Sequence, residues 1–228
     1  MTPTLILAVH GTREPRGVEV ARWLAAQVGA HCPAPVRLAF ADVCSPDVGE
    51  VAATIEGPIV VVPAFLAAGY HVRVDIPAQL ERVGRGDAQL TAALGRDERL
   101  LSVAARRLAA AGWRSGDPVV LAAAGSSDPS ANAEVAEAAQ GLAELVGAPV
   151  RVGYIATGEP TVAQQVRAAR AEGYQRVGVA SWLLAPGLFH QRLAEVGADA
   201  VAAPLCPDAE IAAAVVARFE ATALALQD

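Results

Sequence analysis

Short apolar runs alternate along this chain with longer stretches of helical spacing. "TLILAVH" (4–10), "VRLAFAD" (36–42) and "PIVVVPAFL" (58–66) are apolar on successive positions, which predicts strands buried on both faces rather than half-exposed ones. Between them, "GVEVARWLAAQVGA" (17–30) has helical periodicity, and "SPDVGEVAATI" (45–55) predicts a helix with Ser45 as its cap and Pro46 at its first position. "GRDERLLSVAARRLAAAG" (95–112) predicts an amphipathic helix closing on Gly112. Continuous apolar strands alternating with helices predict an α/β fold with a doubly wound parallel sheet.

The pattern then repeats. "LILAVHGTREPRGVEVARWLAAQVGA" resembles "VVLAAAGSSDPSANAEVAEAAQGLAELVGA", pairing Gly11 with Gly125 and Pro15 with Pro129 at a spacing of 114. "FADVCSP" pairs with "YIATGEP" at the same spacing, and "PIVVVPAFLAAG" with "RVGVASWLLAPG", setting Gly69 against Gly187 at 118. "LGRDERLLSVAARRL" pairs with "LCPDAEIAAAVVARF". The expectation is two duplicated doubly wound parallel-sheet halves with a cleft between them, residues 1–115 and 116–228. The boundary falls near "GWRSGDP" (112–118), whose Gly, Ser and Pro suit a linker.

Duplication lets the halves be compared with each other. His10 pairs with Ala124, Asp42 with Ala156, and His71 with Leu188 or Phe189. The scaffold is kept in both copies, whereas polar groups at three strand ends survive only in the first. Those ends share one edge of a parallel sheet, with neighbouring strands about 4.8 Å apart, and open α/β sheets bind ligands along that edge. One histidine at a strand end is ordinarily a satisfied loop residue. Two with a carboxylate, all absent from the duplicate, point to a site for a borderline divalent ion such as Fe, Co, Ni or Zn.

Composition narrows the chemistry. Of 228 residues, 54% are apolar and 18% charged, which describes a globule rather than a disordered chain. No apolar run approaches the roughly 18–20 residues needed to cross a bilayer, and no basic segment precedes the first strand, so no signal peptide, no membrane association and a cytoplasmic location are expected. A net charge of −6 argues against nucleic acid. All 18 basic side chains are Arg, which excludes a phosphate-loop Lys and Schiff-base chemistry. Arg13 and Arg16, beside His10, and Arg73, two residues after His71, read either as clamps for ligand carboxylates or as surface groups pairing with Glu14 or Asp75. The three cysteines are widely spaced and fit reduced thiols; Cys44 reads as a soft ligand or a small filler, and His31 as a cation at a helix end.

"AVHGTREPRG", "FADVCSPDV" and "VPAFLAAGYHVRVDIP" resemble the sirohydrochlorin chelatase family, the class II chelatases that insert iron, cobalt or nickel into tetrapyrroles. Long members of that family carry two fused halves, and the resemblance runs over essentially the whole chain. It implies that His10 and His71 are the metal-binding and catalytic pair. Asp42 then stands as a catalytic carboxylate where relatives often carry Glu. Gly69, Tyr70, Arg13, Arg16 and Arg73 would contact the substrate. It further implies a small-molecule tetrapyrrole partner, no cofactor beyond the divalent metal substrate, Fe2+ as the expected metal with Co2+ as the alternative, and a monomer containing an internal pseudo-dimer. Two other readings stay open at this point, a non-catalytic tetrapyrrole or metal carrier and a metal-assisted hydrolase.

Overall fold

A computed structural model describes residues 2–95 and 97–226. Two compact units are present, Met1–Gly95 with Pro207–Asp228, and Arg96–Cys206.

The first unit holds β1 (Thr4–Val9), α1 (Pro15–His31), β2 (Val36–Phe40), α2 (Val48–Ala52), β3 (Ile59–Pro63), a π-helical turn (His71–Asp75), α3 (Ile76–Arg82) and β4 (Gln89–Leu90). Its sheet is parallel throughout, in the order β2-β1-β3-β4. Along β1, Ile6 and Ala8 pack with Val48, Val51, Ile76 and Leu80 on one face of the sheet, while Leu5 and Leu7 are equally buried on the other. Burial on both faces is what the unbroken apolar runs require. β3 stops at Pro63, sooner than its apolar run suggests: after one more bond, from Ala64 N to Ala8 O at 2.8 Å, the chain turns, with Phe65 N donating to Pro63 O.

The second unit begins with α4 (Glu98–Ala110) and continues through β5 (Val119–Ala123), α5 (Pro129–Val146), β6 (Val150–Tyr154), α6 (Val162–Ala171), β7 (Gly178–Trp182), α7 (Leu188–Arg192) and β8 (Ala200–Val201). Its parallel sheet has the order β6-β5-β7-β8, the same topology as the first. The chain's last helix, α8 (Ala209–Ala225), belongs to the first unit and packs against α1 and β3. α4 packs against α5 and β7. The terminal helix of each sequence repeat therefore covers the other repeat's sheet, and the compact units are cut differently from the repeats. Arg218 of α8 donates to the Leu94 carbonyl at 3.3 Å, tying that helix to the loop after β4. Residues 112–118 form an ordered turn inside the second unit, where Trp113 Nε1 donates to Asp117 O at 2.9 Å and Arg176 pairs with Asp117.

Two local expectations change. The helix expected over 45–55 is shortened to α2 and is capped by Asp47, not Ser45. Asp47 accepts from Glu50 N at 2.7 Å while the Glu50 carboxylate accepts from Asp47 N at 2.8 Å. This reciprocal box satisfies two orphan donors where a lone serine would satisfy one, and Pro46 sits in a cis peptide bond ahead of the helix. The helix expected over 95–112 begins at Glu98 with Asp97 as its cap; Arg96, within that stretch, lies outside the described residues. Among the described residues no helix is long and apolar enough to cross a membrane.

Candidate functional site

In the order β2-β1-β3-β4 the chain leaves β1 for β2 on one side and then crosses to β3 on the other. The carboxyl ends of β1 and β3 are the topological switch point, where an open parallel sheet leaves room for a ligand. His10 follows β1 directly and His71 lies in the loop after β3.

The turn after His10 depends on Gly11, at φ +94, where a Cβ would lie 2.1 Å from the backbone oxygen of Asp42. Only glycine lets the loops after β1 and β2 close this tightly. His10 Nδ1 stands 3.0 Å from the Gly11 carbonyl oxygen. A carbonyl only accepts, so this bond assigns the ring proton to Nδ1 and leaves the Nε2 lone pair open.

His71 opens the π-helical turn, closed by the bond from Ile76 N to His71 O. Its Nδ1 lies 2.6 Å from Asp75 Oδ2, with the two side chains 29% and 28% exposed. A carboxylate also accepts here, so His71 too carries its proton on Nδ1 and keeps Nε2 open. The two imidazoles meet edge to face, centroids 4.5 Å apart and planes at 80°. Phe65 flanks both rings, at 6.1 Å from His10 and 6.3 Å from His71.

The other expected site residues are placed less closely. Asp42 is exposed, and its Oδ1 accepts from Val43 N at 2.7 Å in a turn where Val43 takes φ 67. The carboxylate thus folds back on its own loop. Among the described residues no group of three or more His, Cys, Asp or Glu side chains is placed to share one ion, so Asp42 does not join the imidazole pair. The Cys44 thiol donates to Thr12 O at 3.2 Å. Gly69 O accepts from Val72 and Arg73 N–H, setting the π-helical turn. Tyr70 stands 60% exposed beside His71, ring centroids 6.2 Å apart. Arg13 in the loop after His10, Arg16 in the first turn of α1 and Arg73 in the π-helical turn are exposed; Arg73 Nε donates to Ala68 O at 2.6 Å. His190 faces backbone instead, its Nε2 bonded to Ala202 O at 3.1 Å.

Asp75 was missed as a site residue. The signal was the spacing in "HVRVD", where His and Asp four apart share one helix face. What the arrangement offers chemically is a pair of imidazole Nε2 nitrogens on an open edge, donors suited to a borderline divalent ion.

Comparison with known proteins agrees with this geometry. The sequence profile of the CbiX family matches residues 4–111 and again 118–222. The chain belongs to the CbiX family. It is 26% identical over 204 residues to a sirohydrochlorin ferrochelatase of Priestia megaterium, covering 84% of this chain and 76% of that one. It is 30% identical over 104 residues to a sirohydrochlorin cobaltochelatase of Sulfolobus acidocaldarius, covering 43% of this chain and 84% of the relative. A solved structure of SirB from Bacillus subtilis with Fe3+ superposes with a TM-score of 0.85 at 20% identity, covering 100% of this chain and 98% of that one. That likeness carries the CbiX-type fold over the whole chain, and the twice-matched family profile agrees with the sequence duplication.

Proposed function

We propose that this CbiX-family chain inserts a divalent metal, Fe2+ in preference to Co2+, into sirohydrochlorin. One observation carries the reading: two imidazoles from separate loops meet at the switch point with Nδ1 of each already bonded. Both Nε2 lone pairs are left for an incoming ion. The names of the relatives supply the substrate, and iron is favoured because the relative aligned over most of both halves is called a ferrochelatase.

Insertion exchanges one dication for two pyrrolic protons. The dication is a substrate, so it must be held and then surrendered. Two imidazole donors, without the third or fourth ligand of a structural centre, suit an ion in transit. As the ion moves from Nε2 to the macrocycle nitrogens, each vacated Nε2 is free to take one displaced proton. Two imidazoles match two protons, and neutral imidazole performs this role at physiological pH. Asp42, on the same edge but apart from the pair, adds a negative charge to the face a dication approaches. The scheme calls for no redox cofactor or nucleotide.

Arg13, Arg16 and Arg73 are assigned to the peripheral carboxylates of the tetrapyrrole. Arg13→Ala and Arg16→Ala should each raise KM for sirohydrochlorin about two- to fivefold, the scale of an exposed charge pair, with kcat little changed. An unaltered KM in initial-rate measurements would return both to the solvated surface.

The test of the whole reading is an anaerobic assay of sirohydrochlorin with Fe2+ and with Co2+, followed by the macrocycle's absorption. Many metallated rings per chain are expected, with a higher kcat/KM for Fe2+. A reaction that stops at one ring per chain would make the protein a carrier instead.

A further inference from the structure

We infer that Asp75 is a positioning residue for His71, holding the imidazole in the Nδ1–H tautomer so that Nε2 presents its lone pair beside His10. The inference rests on the chelatase reading above and adds a residue to it.

The geometry is the first ground. The 2.6 Å contact between His71 Nδ1 and Asp75 Oδ2 is short, as charge-assisted bonds are. It forms within a π-helical turn, whose i→i+5 bonding is wider than an α-turn and draws residues four apart closer to one line along the axis. Left alone, a histidine side chain favours its proton on Nε2, the tautomer that would turn an N–H toward an arriving cation. A carboxylate at Nδ1 reverses that preference and fixes the ring's direction.

Asp75 also has no evident structural duty. It stands at the N-cap of α3, yet its side chain makes no capping bond. The pair is more than a quarter exposed on each side, where a hydrogen bond open to solvent adds little to stability.

The second unit supplies an independent ground. Strand register sets Pro63 opposite Ala8 and Ser181 opposite Ala122, which fixes the offset between these segments at 118. His71 then corresponds to Phe189, and Asp75 to Leu193, a buried core residue. The π-helical turn is replaced there by the α-helical turn of α7. Imidazole, carboxylate and the wide turn that joins them disappear together, as parts of one device would.

The test compares the wild type with Asp75→Ala, Asp75→Asn and His71→Ala. In Asp75→Ala, kcat for insertion should fall about 10–100-fold, the usual effect of removing a carboxylate behind a metal-binding histidine, with KM for sirohydrochlorin unchanged and Tm within about 4 °C of wild type. Nitrogen-15 NMR of the imidazoles, at one alkaline pH where they are neutral, should show His71 moving from the Nδ1–H to the Nε2–H form. Asp75→Asn keeps an oxygen acceptor, so it should keep the tautomer and most of the rate. Should the alanine variant fail to fold, Asp75→Leu, carrying the second unit's residue, repeats the comparison.

An undiminished kcat in Asp75→Ala, or a His71 that stays Nδ1–H in it, would overturn the inference. So would Asp75→Asn as slow as Asp75→Ala with its tautomer intact. Failure of the wider reading looks different: the wild type itself would then stop at one metallated ring per chain or insert none, whatever Asp75 does to the His71 tautomer. The NMR arm needs no substrate and reads the device directly.

Discussion

Replacing His71 with alanine is expected to lower the rate of metal insertion by about 10²–10⁴-fold, the range supplied by a positioned proton acceptor, while the protein stays folded. The imidazole is 29% exposed, and the rings it meets are His10, Phe65 and Tyr70 at the site. Losing it removes one of two metal donors and one of two proton acceptors, yet opens no sealed cavity, so the stability change should stay near 1 kcal/mol. His10→Ala should behave alike, because the pair is a unit. His190→Ala is the control: that ring bonds Ala202 O in the second unit, and insertion should proceed nearly as in the wild type. Steady-state assays alongside circular-dichroism melts decide the matter, and a folded His71→Ala protein with undiminished turnover would remove this histidine from the mechanism.

Phe219→Ala should carry the largest stability cost, about 3–5 kcal/mol for a truncated buried aromatic, lowering Tm by on the order of 10 °C. Phe219 is 2% exposed on α8, with Ile211 and Val215 fully buried along the same helix. Although it lies in the second sequence repeat, α8 covers the sheet of the first unit, against β3 and α1. The damage should therefore appear where His10 and His71 are. Hydrogen exchange mapped by mass spectrometry should show protection falling in β1 and β3 first. Protection lost in β5 and β7 but kept in β1 and β3 would contradict this assignment of the helix.

Much of this was legible in the sequence because its signals are local or repeated. Apolar runs bounded by Gly and Pro mark strands, and the offset of 114 exposes the duplication through Gly11 and Gly125 or Pro15 and Pro129. Comparing the halves singled out His10 and His71, and the structure brings their rings together. Asp42 was singled out by the same comparison, but a strand-end position fixes only the edge a residue occupies. Its carboxylate bonds Val43 N within its own turn. Asp75 stands four residues from His71, a spacing that sets the two on one face of any helix, but spacing alone does not say that their side chains bond, as Nδ1 and Oδ2 do at 2.6 Å. The destination of α4 and α8 was hidden for a different reason. Two sheets built from one ancestral pattern present equivalent apolar faces, and sequence periodicity cannot say which of them a helix will cover.

That crossing of terminal segments bears on how the molecule would come apart. The backbone leaves the first unit after Gly95 and re-enters it at Pro207, so a single proteolytic nick within 112–118 would liberate neither piece. Each fragment would still be clasped through the helix it lends, co-eluting under native conditions and separating only in denaturant, and only a pair of cuts flanking 96–206 could excise a free unit.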